Sequence, residues 1–200
     1  MKTCKNILLL LIVVSFANCN NSGAVIEGSL SSERYDNEWV FWVPFTGPAT
    51  SKTVDSALIQ KNEFRMNVSP HNINKTGIIR VRYQLRLGLQ DILVYTEPGT
   101  MHVHLDTISR ATGTPLNDVL QYWKDRKQSY DLELLTLRRN LRSADADEEK
   151  TREEMKNVST LYHDDIYQIV LQNKDNDVGK FIYSLHKGQF TEEQVNEIDK

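Results

Sequence analysis

Cysteine is nearly absent from this 200-residue chain: the two present are Cys4 and Cys19. No Cys-x-x-Cys occurs, and Cys4 lies inside an N-terminal apolar leader, so the processed chain is expected to form no internal disulfide and to run no dithiol–disulfide chemistry. Excess positive charge is lacking too. The net charge is −3, which gives no general attraction to a phosphate backbone, and nucleic acid is excluded as a partner. No apolar run reaches the roughly 20 residues of a membrane span. Phosphate-loop, nucleophile-elbow and metalloprotease-helix motifs are missing as well.

What the chain does have is an export leader. Lys2 and Lys5 precede the apolar stretch Ile7 to Val14, and small or polar residues follow, the order of a secretory signal peptide over residues 1–18. Two processing readings fit. Phe16-Ala17-Asn18-Cys19 resembles a bacterial lipobox, with Phe16 where Leu is usual and Asn18 where Gly, Ala or Ser is usual. Cys19 would then be the lipidated first residue and 19–23 a tether. Ser15-Phe16-Ala17 is instead an ordinary small-x-small cleavage site, which would release a soluble protein. Lipidation is preferred, because Cys19 directly follows the apolar run and no other cysteine remains to pair with it.

Hydrophobic residues make up 40% of the chain and charged residues 26%, a globular composition. From 24 to 110 the pattern is strand-like. Val25 to Leu30, Trp39 to Phe45, Ile92 to Tyr95 and Met101 to Leu105 read as strands, and Val54 to Ile59 with Phe64 to Val68 as a hairpin pair. Ile79 to Leu87 alternates strictly, with Ile79, Val81, Tyr83, Leu85 and Leu87 on one face and Arg80, Arg82, Gln84 and Arg86 on the other. Short strands at this spacing predict an antiparallel β-sandwich or barrel.

Over 111–200 the period becomes helical. Thr114 as N-cap and Pro115 at the first position open a helix. Its stripe runs Leu116, Val119/Leu120, Trp123, Lys127, Tyr130, Leu134, Leu137, Leu141. A second stripe runs Met155, Val158, Tyr162, Ile166, Ile169/Val170. Asn173 to Asp177 breaks it, and Val178, Phe181, Ile182 and Leu185 make a shorter helix. Thr191 and Gln194 form a capping box. The fold class is therefore α+β, with an N-terminal β-domain and an amphipathic helical tail.

Several clusters invite chemistry. His102, His104 and Asp106 alternate toward one face of a strand and could hold zinc or copper; a wet strand face is the plainer account. Arg80, Arg82 and Arg86 could grip an anion such as a carboxylate or glycan, although such rows more often pair with acidic neighbours across a sheet. Asp55-Ser56-Ala57 and Asp106-Thr107-Ile108 match tripeptides that some envelope bacteria O-glycosylate on Ser56 and Thr107. The leucine and tyrosine stripe could be a partner surface, with packing on the β-domain or in a helical hairpin as the simpler use. No cofactor is implied.

Val54-Asp55-Ser56-Ala57, Phe64, Glu97-Pro98-Gly99, Gly113-Thr114-Pro115-Leu116-Asn117-Asp118 and Asn173-Lys174-Asp175-Asn176-Asp177-Val178-Gly179 occur in that order. Together they resemble the N-terminal domain of unknown function 4369, found in bacterial envelope lipoproteins ahead of a thioredoxin-like or AhpC/TSA-type domain. The similarity covers about residues 24–190. It implies a periplasmic or outer-membrane lipoprotein whose role is anchor, spacer or recognition module, with a thioredoxin-like domain or protein as partner and no catalytic residues of its own. The sequence departs from the family by ending where a helical linker would continue. A shortened oxidoreductase is thus one alternative, and a surface glycan- or metal-binding protein another.

Overall fold

The computed structural model describes residues 23–81, 88–143, 145 and 147–200. Eight strands come first: β1 (Ala24–Leu30), β2 (Trp39–Pro44), β3 (Asp55–Leu58), β4 (Glu63–Asn67), β5 (Lys75–Val81), β6 (Ile92–Thr96), β7 (Gly99–Leu105) and β8 (Arg110–Thr112). Four helices follow: α1 (Pro115–Asn140), α2 (Glu148–Asn173), α3 (Asp177–His186) and α4 (Glu192–Ile198). The α+β class and the order of its two parts are as the sequence patterns require. No helix among the described residues is long and apolar enough to cross a membrane.

The strands form two four-stranded sheets, β4-β1-β7-β8 and β3-β2-β5-β6. All pairings are antiparallel except β1 with β7, which run parallel from Ala24 opposite Gly99 to Leu30 opposite Leu105. One hydrophobic core joins the sheets, taking Ile26, Phe64, Met66, Val103 and Leu105 from the first and Val40, Trp42, Ile79 and Val94 from the second. Each sheet carries a glycine beneath an aromatic ring. A Cβ on Gly28 would lie 2.0 Å from the Phe64 ring, and one on Gly77 would lie 2.1 Å from the Trp42 indole.

Two expectations need correction. Val54–Ile59 and Phe64–Val68 do not form a hairpin within one sheet: β3 pairs with β2, and β4 pairs with β1. The neighbouring strands capture the chain on either side of the turn. Ile59 N–H donates to the Glu38 carbonyl at 3.0 Å, while Leu30 N–H donates to the Asn62 carbonyl at 2.8 Å. A single bridge, Gln60 with Glu63, joins the sheets at this corner. Lys61 and Asn62 turn it at φ 54° and 62°, and the Asp36 carboxylate accepts both of their N–H groups at 3.0 and 2.8 Å. Secondly, β8 carries the first sheet past residue 110, so the helical part begins at α1.

The helices build a second core from Leu120, Trp123, Tyr162, Ile166, Ile169, Val170, Val178, Ile182 and Ile198, into which β6 contributes Tyr95. The first expected stripe buries Leu120, Trp123, Leu134 and Leu137, and the second buries Tyr162, Ile166, Ile169 and Val170. The capping box is formed in full, with Thr191 and Gln194 each accepting the other's backbone N–H. Thr114 occupies the N-cap of α1 without capping through its side chain. Its hydroxyl instead accepts from Asn117 Nδ2 at 2.9 Å. Glu97 supplies the missing cap: its Oε1 accepts from Leu116 N–H at 2.7 Å, placing an anion at the positive end of the helix dipole.

Candidate functional site

Period two along β1 turns Ile26, Gly28 and Leu30 inward and leaves Glu27 and Ser29 on the outer face of the first sheet. The same alternation leaves His102 and His104 outward on β7, Glu63 and Arg65 on β4, and Arg110 and Thr112 on β8. Strand register assembles these into two rows. One row is Arg65, Glu27, His102, Thr112; the other is Glu63, Ser29, His104, Arg110. Above them lies an open groove of about 930 Å³, walled at one end by Leu58 and Gln60.

Arg65, Glu27, His102, Ser29, His104 and Arg110 of the groove pair with neighbours. Arg65 and Glu27 form an ion pair, and the free oxygen of Glu27 lies 3.7 Å from His102 Nδ1. Ser29 Oγ and His104 Nδ1 share a hydrogen bond of 2.9 Å. Arg110 donates to Asp125 on α1 at 2.6 Å. Asp125 also accepts from Gln121 Nε2 at 2.8 Å, and Gln121 Oε1 accepts the Ala111 N–H at 3.0 Å. A chain of hydrogen bonds therefore runs from the edge of the sheet through α1 to the guanidinium.

His102, His104 and Asp106 are not drawn to a common point. β7 ends at Leu105, and Asp106 belongs to the following turn, where its carboxylate accepts the Thr107 N–H at 2.7 Å. That bond, with help from the Ser31 hydroxyl, holds Asp106 below the usual carboxylate range. Each imidazole has its own β1 neighbour, Glu27 for His102 and Ser29 for His104. Among the described residues no group of three His, Cys, Asp or Glu side chains is placed to hold a metal ion.

Arg80 pairs with Asp91 across the sheet at 2.9 Å, the structural use of such a row; Arg82 and Arg86 lie outside the described residues, as do Cys19 and the leader. Ser56 is exposed on β3 and Thr107 in the turn after β7, so both hydroxyls are accessible. Glu27, Ser29, Arg65 and Arg110 are the groove residues that sequence reading passed over. Reading Val25 to Leu30 as a strand brings Glu27 and Ser29 to no partner, because nothing local joins β1 to β7, about 75 residues away.

The residues that carry the family resemblance serve packing and capping. Asp55 accepts from Ser69 N–H at 3.0 Å and Asn72 Nδ2 at 2.9 Å. Asp118 accepts the Gly113 N–H at 3.0 Å. Asn176 caps α3 by accepting the Gly179 N–H at 2.8 Å, and a Cβ on Gly179 would lie 1.9 Å from the Asn173 carbonyl oxygen. Tyr95 donates its hydroxyl hydrogen to Asp177, tying β6 to α3. No protein-family model matches the chain, and comparison with curated proteins and with solved structures likewise finds no match.

Proposed function

We propose that the chain is a non-catalytic module of the bacterial cell envelope, anchored by a lipid on Cys19 and serving recognition or spacing beside a thioredoxin-like partner. The observation that carries this reading is the pairing within the groove. A nucleophile or general base used in chemistry needs a partner that activates it and room for a substrate atom beside it. Here Glu27 is held by Arg65, Asp125 by Arg110 and Gln121, and the Ser29–His104 pair is exposed on a strand face where, among the described residues, no carboxylate is hydrogen-bonded to the imidazole. Such a surface is shaped for contact. The distribution of cysteine supports the same reading, since Cys4 and Cys19 both fall at the leader.

Two measurements test it. The full chain, expressed with its leader in an envelope-bearing bacterium, is expected in the membrane fraction, and Cys19→Ser is expected to move it to the soluble fraction. An unchanged distribution rejects lipid anchoring. The purified protein is expected to leave insulin disulfides intact in the presence of dithiothreitol beyond the uncatalysed rate; acceleration overturns the non-catalytic assignment.

A further inference from the structure

We propose that the groove over the first sheet binds an acidic saccharide, its carboxylate seated at Arg110 and His104 and its hydroxyls on Ser29, Glu27, Glu63 and Gln60. The proposal rests on the recognition reading above and names its ligand class. β7 and β8 bring His102, His104 and Arg110 to one side of the groove, while β1 and β4 bring Glu27, Glu63 and Arg65 to the other, where Arg65 is ion-paired with Glu27. Its volume of about 930 Å³ falls in the range of small-molecule sites, roughly 300–1,000 Å³.

Arg110 is preorganised. The hydrogen bonds from Ala111 to Gln121, Gln121 to Asp125 and Arg110 to Asp125 fix the guanidinium through one of its nitrogens. The remaining N–H donors of that planar fork match a carboxylate. Ser29 occupies Nδ1 of His104, and the imidazole Nε2 has no partner among the described residues.

The rest of the lining selects for hydroxyl groups. Ser29, Thr112 and Gln60 both donate and accept, and the two glutamates accept, which suits sugar hydroxyls that do both. Glu63, at the far end of the row that carries Arg110, opposes a doubly charged phosphate, whereas a single carboxylate can be accommodated at the Arg110 side. An extended peptide is a poor fit. The middle of the floor is formed by β1 and β7, each paired on both edges, so a peptide lying over them adds no strand there.

Calorimetric titration of the full chain separates these cases, with a trisaccharide of glucuronic acid, neutral maltotriose and inorganic phosphate as probes. The uronic trisaccharide is expected to bind, with maltotriose and phosphate each at least about tenfold weaker. Arg110→Met is expected to weaken uronate binding by about tenfold, as loss of a charge-assisted hydrogen bond implies. His104→Gln serves as a second variant if Arg110→Met does not retain the wild-type circular dichroism spectrum. Absence of uronate binding, equal affinity for maltotriose, preference for phosphate, or insensitivity of a folded variant overturns the proposal. Those results leave the insulin and fractionation outcomes untouched, so the ligand class and the non-catalytic reading fail separately.

Discussion

Asn117 on α1 holds both main-chain polar groups of Tyr95 on β6. Tyr95 N–H donates to Asn117 Oδ1 at 2.9 Å, and Asn117 Nδ2 donates to the Tyr95 carbonyl at 2.5 Å. The amide side chain thus substitutes for one residue of an adjoining strand. Seven residues on, Lys124 donates from Nζ to the Leu93 carbonyl at 2.9 Å, while Gln121 takes the Ala111 N–H of β8. Since β6 and β8 are edge strands of the two sheets, one helix closes both edges with polar side chains and protects groups that would otherwise invite another chain.

Asn117→Ala is expected to cost about 2 kcal/mol in urea unfolding, because the Tyr95 N–H is left buried without a partner. Asn140→Ala, at the exposed end of the same helix, is the control and should change stability by less than about 0.5 kcal/mol. Equal effects from the two substitutions would show that the edge contact does not stabilise the fold.

Lys124 should titrate well below the ordinary lysine value. Burial pushes its ammonium down from 10.5 to about 8, with Arg110 also lowering it and Asp125 partly opposing. Reductive ¹³C-methylation followed by NMR titration should show one dimethyl-lysine resonance with a midpoint near 8, absent in Lys124→Arg. A wild-type spectrum with every midpoint above about 10 would contradict this placement.

His186 should make the helical core sensitive to acid. Its Nε2 accepts the Trp123 indole N–H at 3.3 Å, and its Nδ1 lies 3.3 Å from Gln189 Oε1. An indole only donates, so this arrangement requires neutral His186 with its proton on Nδ1. Burial lowers the imidazole below its ordinary 6.5, and nearby Lys127 and His163 lower it further. The unfolded chain therefore binds the proton more readily than the folded one. This contribution to stability is complete above the unfolded value and declines as pH falls below about 6.5. His186→Gln, which cannot titrate, should lose less stability than wild type between about pH 7.5 and 5; parallel profiles would remove the assignment.

Gly28→Ala and Gly77→Ala should each destabilise the sandwich by about 2 kcal/mol or more in thermal or urea unfolding. A methyl at either position meets a buried ring, Phe64 or Trp42, which must shift to admit it. Phe64→Leu beneath Gly28→Ala should recover part of the loss, since a smaller side chain vacates the space. Full additivity of the two changes would place the strain elsewhere.

Much of the architecture was legible because it follows local periods. Alternation in β1, β5 and β7 and the 3.6-residue stripes of α1 and α2 record which side of each element is dry, and the Thr191–Gln194 box depends on four consecutive residues. The Val54–Val68 segment shows where local reading stops. Two strands joined by a short turn are most simply a hairpin, and only competition from β1 and β2 for backbone partners divides them between sheets.

The candidate site was less legible for the same reason. His102 and His104 stood out as a pair, yet their neighbours Glu27 and Ser29 come from the start of the chain, and Arg110 is positioned through Asp125 on a helix. By itself the sequence determined the α+β class, the wet and dry faces, the scarcity of thiol and the acidic balance, since these depend on residue identity and near-neighbour spacing. Tertiary structure alone decided that β1 runs parallel to β7, that Asn117 acts as a strand, and which charges face one another across the groove. Those relationships are made by backbone hydrogen bonds, which every residue but proline can offer alike, so side-chain order along the chain carries little record of them.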